Sequence, residues 1–300
     1  GRPGQDFRAS QLNLVLHFGL DTSAGEARQR FDEAVRFGQV YPCRVLVLCP
    51  MGHEPTDDLL DAKLFAQCFV GADLRDMCCI EALMLGYPTR VAGFLTSQIF
   101  QWLEGDLPTY HWFNRVPPER IAANHLGFVE QCRAVVYDSA VEDSDLRSVP
   151  WPLPERVRDL AWTRLLPIRQ ALGQYLSGVD PSALVKDLRR VDIRHHAANA
   201  AEAVQLEAWV IARLRACAAS AAVPFEVSSH RDAGCEDANP NCLEMIWSTI
   251  DGQESLRWAI AREGSSSIVE TRFEGRPNRS VLPADFLPPE KALAEALFFG

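Results

Sequence analysis

Nine cysteines and seven histidines are the residues of this 300-residue chain with most to offer chemistry, and their spacing argues against most of it. A metal site needs His, Cys, Asp or Glu converging on one point, as in paired C-x-x-C or H-E-x-x-H runs, and neither run occurs. Cys78 with Cys79, and His195 with His196, are neighbours on strand-like stretches, so the members of each pair point to opposite faces. They read as strand-end or surface residues, and no metal is expected. Cys235 and Cys242, with six residues between them, either close a small loop as a redox pair or remain ordinary loop thiols. Most of the other cysteines sit in apolar runs and read as small hydrophobes. A phosphate-binding turn would need G-x-G-x-x-G or G-x-x-x-x-G-K-S, and both are absent, so no cofactor is expected. Gly19, after the first strand, reads as a plain turn, with a phosphate site as the sharper alternative. Asp138 and Ser139 stand at a strand end and invite a hydrolase reading. The strained G-x-S-x-G elbow is missing, so the pair reads as a cap on the next segment, with ligand contact as the alternative.

The remaining candidates are aromatic and arginine residues, which dominate protein interfaces. They are Trp112, Trp151 and a run from Asp159 through Trp162 and Arg164 to Arg169. Arginine beside Trp and Asp suits stacking and bidentate pairing. Each also fits a structural role, with Asp159 capping a helix that carries a core Trp and a structural Arg–Asp pair. Trp151 stands among prolines and is the one expected to be most exposed.

The elements that must position these residues are legible as patterns. Residues 11–18 alternate as a strand, with Leu12, Leu14 and Leu16 on one face and Val15 on the other; residues 25–38 have helical spacing; residues 44–48 are a doubly covered strand. Residues 64–70 and 77–85 pair as a hairpin, residues 88–103 form a helix carrying Val91, Phe94, Leu95, Ile99 and Trp102, and strand 109–113, helix 121–131 and strand 134–137 follow. Prolines 150, 152 and 154 make residues 149–154 a hinge between domain 1–150 and domain 151–300. Beyond it, helices 155–177 and 198–219 flank a strand at 190–194. Antiparallel strands then surround an Asp251-Gly252 turn, with a third at 268–273, and a helix at 288–298 closes the chain. Residues 228–241 read as a mobile loop. The expected fold class is α/β: a mixed-sheet α/β domain, then a smaller α+β domain with two helices and an antiparallel sheet.

A formal net charge of −10 resides mostly in residues 1–150, which hold 13 basic against 20 acidic residues. Such a surface repels phosphate backbones and anionic lipids, so neither nucleic acid nor membrane is an expected partner. No apolar run spans a bilayer, and the Gly-Arg-Pro-Gly start shows no basic-then-apolar leader, which leads to a cytoplasmic expectation.

The run Asp159-Leu160-Ala161-Trp162-Thr163-Arg164, with Pro167 and Arg169 behind it, resembles the signature of the glucose-6-phosphate dehydrogenase assembly protein family, the OpcA proteins. Residues 41–48 (YPCRVLVL) resemble the family's HPSRVIVV strand, residues 108–113 (PTYHWF) its Pro-containing strand ending in tryptophan, and residues 135–140 (VVYDSA) its IVDSA strand. The chain departs from the pattern at Phe113, where the relatives carry a second tryptophan, and at Leu166-Pro167-Ile168, where they carry Thr-Pro-Trp or similar. The resemblance implies a non-catalytic protein that promotes oligomerisation of glucose-6-phosphate dehydrogenase or raises its activity in the oxidative pentose phosphate pathway. No catalytic set transfers with it. The alternatives are a sugar-phosphate-binding enzyme or sensor using the N-terminal domain at the Gly19 or Asp138 loop, and a thiol switch at Cys235 and Cys242.

Overall fold

The computed structural model describes residues 6–7, 10–52, 61–70, 76–103, 105–217, 225–238, 240–261, 266–273 and 277–299. The chain is an α/β protein of two compact units, Gly1–Leu160 with Pro289–Gly300, and Ala161–Pro288.

In chain order the first unit runs β1 (Asp6–Phe7), β2 (Leu12–Phe18), α1 (Ala24–Val40), β3 (Cys43–Met51), β4 (Asp61–Val70), β5 (Asp76–Pro88), α2 (Ala92–Trp102), β6 (Thr109–Asn114), α3 (Pro118–Asn124), α4 (Leu126–Val129), β7 (Ala134–Tyr137) and β8 (Val157–Asp159). The second unit holds most of α5 (Leu160–Arg164), then α6 (Leu166–Leu176), α7 (Pro181–Val185), β9 (Leu188–His195), α8 (Ala200–Cys217), β10 (Glu226–Arg231), α9 (Ala233–Ala238), β11 (Leu243–Thr249), β12 (Glu254–Ile260), β13 (Ser267–Thr271) and β14 (Asn278–Leu282). The last helix, α10 (Pro289–Phe298), returns to the first unit.

The first sheet has the order β1-β5-β3-β2-β6-β7-β8 among the described residues, all parallel, with β4 added antiparallel to β5. Both faces are covered, which explains why β3 reads as a continuous apolar run. Val45 and Val47 point into one core with Leu14, Leu16, Trp112 and Leu293 of α10, whereas Leu46 and Leu48 point into the other with Leu95, Ile99 and Phe128. The β4–β5 hairpin forms as the alternation predicts. In the second unit β10-β9-β11-β12-β13-β14 is antiparallel except for the parallel β10–β9 pair, and one face packs Leu172, Leu206, Val210 and Trp258 into a third core. The other face carries ion pairs such as Arg257 with Glu244 and Glu254. Gly252 takes φ 80° at the β11–β12 turn, a backbone that only glycine adopts without strain.

Three expectations are corrected. Residues 149–154 are not the boundary between units: Val149 is 4% exposed in the second core and Trp151 packs there too, so the prolines form turns against the sheet, and the units divide after Leu160. The single helix expected over 155–177 is a short strand and two helices, because β8 completes the sheet edge and Pro167, lacking an N–H, is tolerated only in the first turn of a new helix. The mobile loop expected over 228–241 is, in its described residues, β10 and α9. An edge strand such as Glu226–Arg231 is only half covered, so its polar sequence hides its pairing with β9.

Candidate functional site

The order β3-β2-β6 puts the reversal of winding between β2 and β6, where α/β sheets present ligand crevices beyond their carboxyl ends. Gly19 follows β2 there, and its N–H donates to Asn114 O at 2.8 Å. A Cβ on Gly19 would lie 1.7 Å from the carbonyl oxygen of Arg115, so only glycine lets the two backbones meet. Arg115 itself takes φ 55°, a left-handed backbone that side chains seldom adopt. The guanidinium explains why it is held there. Its Nε donates to Glu26 Oε2 at 2.7 Å and its Nη1 to Asp143 Oδ2 at 2.6 Å, while the Arg115 N–H reaches Glu142 Oε1 at 3.0 Å. Asn114 adds a bond to Glu26 at 3.1 Å. At the start of α1, where a phosphate would meet a helix N-terminus, Ser23 Oγ already accepts the Glu26 N–H.

Beside this knot Arg30 pairs with Glu33 at 2.8 Å and with Asp138 at 3.6 Å, all three buried. Asp138 Oδ1 accepts the Ala140 N–H, the capping role read from the sequence, and the Ser139 N–H donates to Asp159 Oδ1 at 3.1 Å. Glu142 has its carboxyl pushed up to about 8, first by burial and further by Asp138, against the pull of the Arg115 N–H. The knot therefore gathers Glu26, Glu33, Asp138, Glu142, Asp143 and Asp159 around two arginines, an environment that repels phosphate. Replacing Gly19 by Ala is expected to cost about 1–3 kcal/mol, because the obstructing atom is backbone. Chemical denaturation checks this, and an unchanged midpoint would show that the approach is not tight.

The remaining candidates are spread apart. Trp112 is 1% exposed in the core and, contrary to the contact role expected of it, has no surface to offer a partner. Trp151 is half-buried, its Nε1 donating to Leu146 O at 2.9 Å, and is not the exposed residue its prolines suggest. Within the second unit Arg169 stacks over the Trp162 ring at 3.4 Å, and Arg164 meets the buried Glu202 of α8 at 2.6 Å, both structural uses. Cys235 and Cys242 are disulfide-bonded, and Cys235 is buried. Among the described residues no three His, Cys, Asp or Glu side chains are placed so that they could hold a metal ion, and no helix is long and apolar enough to cross a membrane.

Two features escape a reading by pattern. The first is the exposed side of α2, where Phe94 is 73% exposed and Trp102 47%, on a helix without one charged residue. Helical spacing places Phe94 and Trp102 in one stripe with Leu95 and Ile99, yet among the described side chains Ala92, Leu95, Ile99 and Leu103 are the ones that turn inward. The apolar stripe is wider than the buried face, and that excess is the signal. The second is a core cluster of His17, His111 and His125. His17 Nε2 lies 2.8 Å from the Tyr87 hydroxyl, its ring stands 4.6 Å from His125 and 5.5 Å from His111, and neither His111 nitrogen has a partner among the described residues. Burial is the main force holding all three imidazoles neutral. It takes His17 and His111 well below the ordinary value and His125 to about 4, with neighbouring imidazoles and Arg120 adding to it.

Comparison with known proteins places residues 34–149, all within the first unit, in a match to the family described as glucose-6-phosphate dehydrogenase subunit N-terminal domain. A protein of Synechocystis named "Putative OxPP cycle protein OpcA" is 24% identical over 184 residues, which are 58% of this chain and 37% of that protein. A protein of the same name from Nostoc punctiforme is 25% identical over 180 residues, 58% of this chain and 38% of that one. The matched stretch spans well under half the length of these relatives. The crystal structure of glucose-6-phosphate 1-dehydrogenase from Mycobacterium avium aligns over 96% of this chain and 87% of its own at 11% identity, with a TM-score of 0.49.

Proposed function

We propose that this chain, whose residues 34–149 match the model of the glucose-6-phosphate dehydrogenase subunit N-terminal domain family, is a non-catalytic partner of glucose-6-phosphate dehydrogenase in the oxidative pentose phosphate pathway. The observation that carries the reading onto this fold is the uncharged helix α2, on which Phe94 and Trp102 are exposed, inside the matched stretch. Aromatic side chains on a rigid helix lose little entropy when a partner covers them, and they are the commonest interface anchors. The partner's complement is an apolar groove. The protein acts by binding the active or assembled state of the dehydrogenase more tightly than the other, since only that difference shifts the equilibrium. The acidic first half steers the encounter and makes it salt-sensitive.

The occupied crevice beyond β2 and β6 supports a binding role over cofactor chemistry, because Glu26, Arg115 and Ser23 fill the place a phosphate would take. It also disfavours a sugar-phosphate site at Gly19 or Asp138. The test is steady-state activity of the dehydrogenase from the same organism, with and without this protein across a salt series, with native mass recorded in parallel. A rise in rate or affinity, a heavier complex and weakening by salt are expected. Trp102→Ala is expected to weaken the complex at least tenfold, which is about 1.4 kcal/mol, with an unchanged circular dichroism spectrum. No complex at micromolar concentrations refutes the reading, and a complex indifferent to Trp102→Ala moves the contact off α2.

A further inference from the structure

At the amino ends of β6, β7 and β8, opposite the end that carries Gly19 and Asp138, the first unit opens into a cavity of about 840 Å³. Arg133 immediately precedes β7, Arg156 precedes β8 and Arg158 lies within it, and all three line this space. Asp106 is the one carboxylate among the described lining residues. In a chain of net charge −10, three guanidinium groups gathered around one opening against a single acid are out of keeping with the rest of the surface.

The bonds of Arg133 and Arg156 orient these two side chains without neutralising them. Arg156 Nη1 donates to Cys132 O at 3.2 Å, Arg158 Nη1 donates to the carbonyls of Val157 and Glu155, and Arg133 stands beside the Tyr110 hydroxyl. Among the described residues neither Arg133 nor Arg156 has a carboxylate partner. Like charges held together repel, and an anion seated between them removes that repulsion while using the planar donor forks, which match phosphate oxygens two at a time. The rest of the wall is different in kind: Phe100, Leu103 and Phe298 present apolar surface. The volume falls in the range of about 300–1,000 Å³ that small-molecule sites occupy.

We propose that this cavity binds a small phosphate monoester with an apolar or planar body. The phosphoryl oxygens engage Arg133 and Arg156, with Arg158 lining the same wall, and the carbon body lies against Leu103 and Phe298. The site is separate from the crevice at the carboxyl ends of the strands, and it stands whether or not a dehydrogenase partner binds.

Calorimetric titration of the full chain with phenyl phosphate, inorganic phosphate and phenol separates the contributions. Phenyl phosphate is expected to bind saturably with a Kd below about 1 mM, inorganic phosphate at least tenfold more weakly, and phenol not at all. The double substitution Arg133→Ala with Arg156→Ala changes two exposed side chains. It is expected to weaken phenyl phosphate at least tenfold without moving the melting temperature, and Arg213→Ala in the second unit to leave it unchanged. Absence of saturable binding up to about 10 mM, or binding that survives the double substitution, overturns the proposal. Equal affinity for phosphate and its ester overturns the assignment of an organic anion.

Discussion

Acidification from pH 7 to pH 5 is expected to lower the stability of the first unit by several kcal/mol, with the onset near pH 6.5. His17, His111 and His125 are neutral in the folded core because burial holds their values below that of a free imidazole. The unfolded chain therefore binds protons that the folded chain refuses, and stability falls as pH drops below the unfolded value. The loss continues down to about 4, where folded His125 also titrates. Each such histidine contributes up to about 1.4 kcal/mol per pH unit. Glu142 works in the opposite direction. Its folded carboxyl, raised to about 8, keeps a proton that the unfolded one sheds, so acidification favours the fold at that position. The net is close to two protons, or roughly 2.7 kcal/mol per pH unit at most, and partial hydration of Glu142 moves the balance toward the histidines.

Thermal melts at pH 7, 6 and 5 read this directly, and a melting temperature flat across that interval would mean the cluster is hydrated and titrates freely. His111→Phe gives a sharper test. His111 already stacks on Phe113 at 4.0 Å, and neither of its nitrogens has a partner among the described residues. Phenylalanine keeps the ring and removes one titrating group, so the pH slope is expected to fall by about a third of the histidine contribution while stability at pH 7 holds or rises.

Trp112→Ala is expected to cost about 3–5 kcal/mol, the range for deleting a large aromatic side chain from a packed core. Trp112 is among the largest fully buried side chains and packs between α1 and α10 with Leu14, Leu16 and Val136. For a unit of this size the loss lowers the melting temperature by roughly 10 °C. Its indole N–H has no partner among the described residues, so Trp112→Phe relieves an unsatisfied donor and is expected to cost less than half as much. If the residue were instead an interface anchor, Trp112→Ala would leave the melting temperature within about 2 °C and act on partner binding alone. The two roles therefore give opposite results in one pair of measurements.

From sequence alone, the strands β2, β3, β6 and β7, the β4–β5 hairpin and the antiparallel β11–β12 pair are legible. Each is a short run whose residue-by-residue alternation, or unbroken apolarity, reports directly which faces are covered. The family resemblance is legible for the same reason, since it rests on those strands and on the run from Asp159 to Arg169. The absence of cofactor and metal motifs is likewise a matter of local spacing.

What tertiary structure decided is everything that depends on which faces meet. Whether Trp112 is anchor or core turns on α1 and α10 closing over it, and α10 lies far away in sequence. The helix expected over 155–177 gave way because β8 found a place at the sheet edge, and a strand of three residues has too little pattern to announce itself. On α2, periodicity cannot say that the sheet covers Leu95 and Ile99 but stops short of Phe94 and Trp102. The histidine cluster and the three-arginine cavity bring together residues as far apart as His17 with His125 and Phe100 with Phe298. Sequence spacing carries chemistry only when the groups share one turn or strand; these are joined by the order of strands in a sheet, and long-range pairing sets that order.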